Sequence, residues 1–131
     1  MDLDSFTGGY NRAYAVVNIE AVRRNILKSR EFLPENTGII AVIKTDAYGH
    51  GAAKVADAVK DITAGFAVAT IDEAVELREA GITSHIIVLG YISPREYVAA
   101  IEHDIIFEGL NLIALSKRFI QICIKSPSFP V

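Results

Sequence analysis

The side chains best placed to do chemistry lie in the segment Ala41-Val-Ile-Lys-Thr-Asp-Ala-Tyr-Gly-His-Gly51. An apolar run, Ile39 to Ile43, ends at Lys44. Tyr48 follows four residues on, and Gly49-His50-Gly51 then leads into a helical pattern. This order puts Lys44 and Tyr48 at the C-terminal end of a buried strand, where α/β sheets and barrels carry their reactive groups. A lysine amine there is a nucleophile suited to Schiff-base formation with a carbonyl. A tyrosine hydroxyl is a neutral donor suited to phosphate oxygens, and the glycines let the backbone approach closely. A histidine in a turn before a helix is more often structural, and His50 is not counted as catalytic.

The elements that must position these groups follow a strand–helix rhythm. Tyr14 to Ile19 reads as a short strand. Ile19, Val22, Ile26 and Leu33 then fall near one helical face, and Pro34 ends that helix. Ile39 to Ile43 is continuously apolar, as a parallel strand covered on both faces requires. Ala52, Val55, Ala56, Val59 and Ile62 mark an amphipathic helix. Gly65 to Ala69 reads as the next strand. Thr70 and Glu73 form a capping box for a helix that runs to Gly81. Ile86 to Leu89 is a strand, Ser93-Pro94-Arg95-Glu96 opens another helix, and Ile105 to Phe107 is a fourth barrel-type strand. Asn111 is placed to cap a last helix from Leu112. The tail is ambiguous: Phe119 to Ile124 suits either a helix or a strand.

Composition narrows the classes. The chain has 131 residues, of which 51% are hydrophobic, and a net charge of -3. It therefore shows no basic footprint for nucleic acid or an anionic membrane surface. No apolar run is long enough to span a bilayer, and the acidic Met1-Asp2-Leu3-Asp4 start is unlike a secretory signal. The single cysteine, Cys123, has no partner for a disulfide. These features favour the cytoplasm. The carboxylates Asp72, Glu73, Glu76 and Glu79 read as helix-dipole complements and a solvated face, with no spacing that suggests a metal site. His85 and Cys123 carry no pattern of nucleophilic catalysis.

The Lys44-x-x-x-Tyr48-Gly-His-Gly51 segment closely resembles the lysine motif of alanine racemases. Phe66-Ala-Val-Ala-Thr-Ile-Asp-Glu-Ala-Val-Glu-Leu-Arg-Glu-Ala-Gly-Ile82 resembles the family's second βα unit, and Ile87-Val-Leu-Gly90 its third strand. The likeness covers roughly residues 12–117 and leaves the tail, 118–131, unassigned. It implies an α/β fold made of about the first four βα units of a (β/α)8 TIM-type barrel, with parallel strands and outer helices, in a single domain over residues 1–131. It implies pyridoxal 5'-phosphate as cofactor, held by Lys44 as an internal aldimine, with Tyr48 beside the phosphate. The freed Lys44 amine then serves as one of two bases that interconvert L- and D-alanine for peptidoglycan precursors.

The complete family is homodimeric and has later motifs: an Asp-Thr-Gly-Met-x-Arg segment, an arginine facing the pyridine nitrogen, and a second base from a C-terminal domain. None has a counterpart here. A complete barrel takes roughly 250 residues, so the expectation is a truncated barrel, inactive or weak alone and prone to self-association through open sheet edges. The alternatives are a non-catalytic remnant and a small cofactor-binding protein. Thr45 and Asp46 stand where alanine and asparagine are commoner, and Asp46 brings negative charge near a phosphate site unless it points away.

Overall fold

The computed structural model describes residues 15–107 and the backbone of 119–123. Its elements run α1 (Ile19–Arg30), β1 (Gly38–Val42), α2 (Lys44–Gly49), α3 (Ala52–Val59), β2 (Gly65–Val68), α4 (Ile71–Glu79), β3 (His85–Val88), α5 (Tyr97–Glu102), β4 (Ile106–Phe107) and β5 (Phe119–Cys123). The strands form one sheet in the order β4-β3-β2-β1-β5. All four pairings are parallel.

Alternation along the strands divides the sheet into two faces. Ile39, Ala41, Ile43, Phe66, Val68, Ile86 and Val88 point to one side, where α1, α3, α4 and α5 complete a single core through residues such as Ile26, Val55, Leu77 and Ala100. The opposite face carries a smaller cluster of Ile40, Val42, Ala67 and Ile87. Helices gathered on one face of sequentially ordered parallel strands are the opening units of a barrel, as expected, and not of a doubly wound sheet, which is covered by helices on both faces.

Two features differ from the sequence reading. Residues 15–18 form no strand. The Asn18 side chain instead accepts from the Ala21 N–H at 3.0 Å and starts α1, so Ile19 joins the helix and packs on the core. The ambiguous tail forms a strand over Phe119–Cys123, which pairs with β1 from Gly38↔Phe119 to Val42↔Cys123. That pairing occupies the β1 edge which a partial barrel was expected to leave open. Residues 1–14 and the proposed Asn111 cap lie outside the described residues.

Candidate active site

β1 delivers Lys44 to the carboxyl end of the sheet. The ladder continues one residue past the strand, with the Ile43 N–H donating to the Ala67 carbonyl at 2.9 Å, so the backbone is fixed up to the residue before the lysine. Ile43 itself is fully buried, whereas Lys44 is half-buried. The side chain thus leaves an apolar wall at its root and reaches the rim.

The next four residues depart from every regular element the sequence suggested. Thr45, Asp46, Ala47 and Tyr48 all have φ between 53° and 56° and ψ between 38° and 51°, a full turn of left-handed helix. None is glycine. Such backbone costs roughly 1–2 kcal/mol per L-residue, so the turn stores roughly 4–8 kcal/mol relative to ordinary helix. It persists because it is tied down on all sides. The Ala47 side chain is fully buried at its centre, and the Ala47 N–H donates to the Ile43 carbonyl at 2.9 Å. At its start, the Thr45 N–H donates to Glu73 Oε1 at 2.8 Å. At its end, the Gly51 N–H donates to the Asp46 carbonyl at 3.0 Å, and the Ala52 N–H donates to Asp46 Oδ1 at 2.7 Å.

Asp46 therefore points away from the rim and caps α3, a helix whose formal cap, Gly51, has no side chain. Gly51 is required there on its own account, since its φ of 87° is open to glycine and strained for other residues. His50 closes the turn: its Nδ1 lies 2.9 Å from the Ala47 carbonyl, which can only accept, so the proton sits on Nδ1. This is the structural role expected of it.

Glu73 is the residue the sequence reading missed. Its place three after Thr70 suggested a reciprocal capping box, and half of that box exists: the Glu73 N–H donates to Thr70 Oγ1 at 3.2 Å. The carboxylate, however, reaches past the cap. Oε2 accepts from the Ala69 N–H at 2.7 Å while Oε1 takes Thr45. One anion thereby joins the ends of β1 and β2. A second anion lies at the end of β3, where the full box is present: Glu96 Oε2 accepts from both the Ser93 N–H and hydroxyl at 2.6 Å. The Ser93 hydroxyl and backbone amide hold the Glu96 carboxyl below the ordinary glutamate range.

One turn separates Lys44 from Tyr48, whose side chain remains 38% exposed on the same rim. An addition at Gly49 would meet nothing within 4 Å, so the backbone beside Tyr48 faces open space. An amine, a phenol and an uncrowded glycine backbone are the donor set that an aldehyde bearing a phosphate calls for, and the residues present fit such a group. Asp72, Glu76, Glu79 and His85 are exposed and stand apart from this arrangement. Among the described residues no cluster of three metal-ligating side chains occurs, and no helix is long and apolar enough to cross a membrane.

Fold and site together define a parallel βα protein of barrel type that presents a lysine from the end of its first strand. Residues 17–108 match the model of the alanine racemase N-terminal domain, and the chain belongs to that family. It is 46% identical over 91 residues to the alanine racemase of Streptococcus uberis, covering 70% of this chain and 25% of the relative. It is 36% identical over 109 residues to that of Streptococcus agalactiae serotype Ia, covering 83% of this chain and 28% of the relative. Among solved structures, the alanine racemase from E. faecalis superposes with a TM-score of 0.68 at 38% identity, over 70% of this chain and 25% of that one. The chain thus spans about a quarter of the length of the relatives it matches.

Proposed function

We propose that this chain provides the cofactor-bearing side of a pyridoxal-phosphate-dependent alanine racemase site, with Lys44 as the cofactor lysine and Tyr48 as a phosphate contact. The observation that carries the reading is the pair of anchors around Lys44 at the sheet's carboxyl end, the Ile43 ladder bond before it and the tethered left-handed turn after it. When bound, the cofactor supplies an electron sink that acidifies the α-proton of an amino acid. The chain's own residues do the rest. The Lys44 amine would hold the aldehyde carbon and, when free, would accept or return the α-proton through Nζ. The Tyr48 hydroxyl would donate to phosphate oxygens. Two-base racemisation needs an acceptor on each face of the α-carbon, and Lys44 supplies one. In the whole protein the product is D-alanine for peptidoglycan precursors, made in the cytoplasm by a homodimer.

The test is purification of this chain with pyridoxal phosphate, followed by visible absorbance and a D-alanine assay. A cofactor band in the wild type that Lys44→Ala abolishes is the expected result. Turnover should fall below that of a full-length relative by on the order of 10² to 10⁴, the usual cost of a missing general base. A folded chain with no band sinks the Lys44 assignment. A band without turnover favours a second reading, a non-catalytic cofactor-binding protein.

A further inference from the structure

We infer that Glu73 is a positioning residue for Lys44: its carboxylate fixes the strained turn and so fixes where the lysine amine is presented. The inference rests on the reading of Lys44 as the cofactor lysine. Glu73 lies in the first turn of α4 and touches no part of the rim's donor set through its own side chain contacts, which are two backbone amides. Those amides are unequal in origin. Ala69 directly follows β2, a central strand paired on both sides, whereas Thr45 immediately follows Lys44 and opens the left-handed turn. The carboxylate transfers the stiffness of the first to the second.

The chemistry demands an anion. Two N–H groups converging on one side chain need an acceptor at each oxygen, and only a carboxylate offers both. Glutamine would keep one acceptor and aim an NH2 group at the other N–H. Aspartate is one methylene too short for a reach that already spans two strand ends. A charged acceptor also makes each bond stronger than a neutral one. Without it, the first left-handed residue loses its tether while the Asp46 cap still holds the far end. The turn then relaxes from the Lys44 side, and the amine loses its fixed direction while α3 stays in place.

Reductive labelling of the full chain with pyridoxal phosphate and borohydride, mapped by mass spectrometry, measures that direction without requiring turnover. Wild type should be labelled preferentially at Lys44 over Lys54 and Lys60. Glu73→Ala should lower the Lys44 labelling rate by about tenfold, the scale expected from losing charge-assisted hydrogen bonds, with Lys54 and Lys60 unchanged. Hydrogen exchange should quicken at the Thr45 and Ala69 amides and not in β3. Glu73→Gln, which retains one acceptor and serves if the alanine variant fails to fold, should fall between the two. Glu79→Ala, on the same helix and exposed, should match wild type. Wild-type selectivity for Lys44 that survives Glu73→Ala and Glu73→Gln overturns the role of Glu73. A wild type with no preference for Lys44 overturns the lysine assignment and takes this inference with it.

Discussion

The two ends of the sheet solve opposite problems with the same device. At the carboxyl end, strands stop and helices begin, so the backbone groups in need of partners are N–H donors. Glu73 takes two of them and Asp46 a third. At the amino end, helices stop and strands begin, so the unpaired groups are carbonyls. There Arg78, in the last turn of α4, donates through Nε to His103, through one terminal nitrogen to Ile82 and Ser84, and through the other to Asp104, all between 2.7 and 2.9 Å. An anion organises one end and a cation the other, and both belong to α4. The difference lies in what is held. Arg78 secures the loops that enter β3 and β4, whereas Glu73 secures a turn in a conformation its residues disfavour. The carboxyl end, rich in N–H groups, is also the end suited to a phosphate. Under the proposed function, stability and chemistry fall at opposite ends of one helix.

Arg78→Ala should expose that division most sharply. It strands four carbonyls, three of them in part-buried bonds, and should cost about 3 kcal/mol, read as a lower denaturation midpoint. Lys44 labelling measured well below that midpoint should stay at the wild-type rate, and a parallel loss of labelling would refute the separation of the two ends. A pair of glycines gives a finer comparison. A Cβ at Gly65 would sit 2.5 Å from the His85 carbonyl oxygen at the amino end, and one at Gly90 would sit 2.3 Å from the Ala69 carbonyl oxygen at the other. Each alanine substitution should destabilise by about 2 kcal/mol through forced strand displacement. Only Gly90→Ala should also disturb Lys44 labelling, because Ala69 is a Glu73 partner.

Asp46→Ala should cost about 1 kcal/mol as a lost helix cap, and Asp46→Asn, which keeps the accepting oxygen, much less; chemical denaturation of both variants decides. The smallest effect concerns pH. Arg23 donates to Asp61 through two nitrogens at 2.5 Å, tying α1 to the end of α3. The Arg23 guanidinium bond holds the Asp61 carboxyl below its ordinary range, as Ser93 does for Glu96. A carboxylate depressed in the folded state stabilises above its unfolded value and loses that contribution as pH falls through its folded value. Melting temperature should therefore be level near neutrality and decline only below the ordinary carboxylate range. Asp61→Asn should shrink that decline, and an unchanged acid limb would show that the pair is without effect.

The sheet was legible in the sequence because its signals are local. The apolar runs read at 39–43, 65–69 and 86–89, each within a residue of the strand that forms, the Thr70 cap and the Ser93–Glu96 box each announce themselves within a few residues. The placement of Lys44 and Tyr48 just past a strand end was legible for the same reason. The left-handed turn was not, because Thr45, Asp46, Ala47 and Tyr48 carry no intrinsic preference for positive φ that would mark all four. Their conformation is imposed by Glu73, 28 residues from Thr45 in sequence, and by Asp46 reaching forward to Ala52. Glu73 itself matched a local pattern well enough to hide its distant one. The start of α1 was misread because Tyr14 to Ile19 has β-type composition, and the Asn18 cap overrides it.

The pairing of β5 with β1 bears on the order in which the chain can fold. Neighbours β1 to β4 are joined by short βα crossovers and can condense one after another. The β1–β5 ladder instead closes a loop of roughly eighty residues, the slowest contact in the sheet to find. For most of the folding trajectory the strand that ends at Lys44 is therefore an edge with unsatisfied amides and carbonyls. Strand 119–123 of a neighbouring molecule offers the same ladder, so refolding at high concentration is expected to raise the share of strand-exchanged species, read by size-exclusion chromatography.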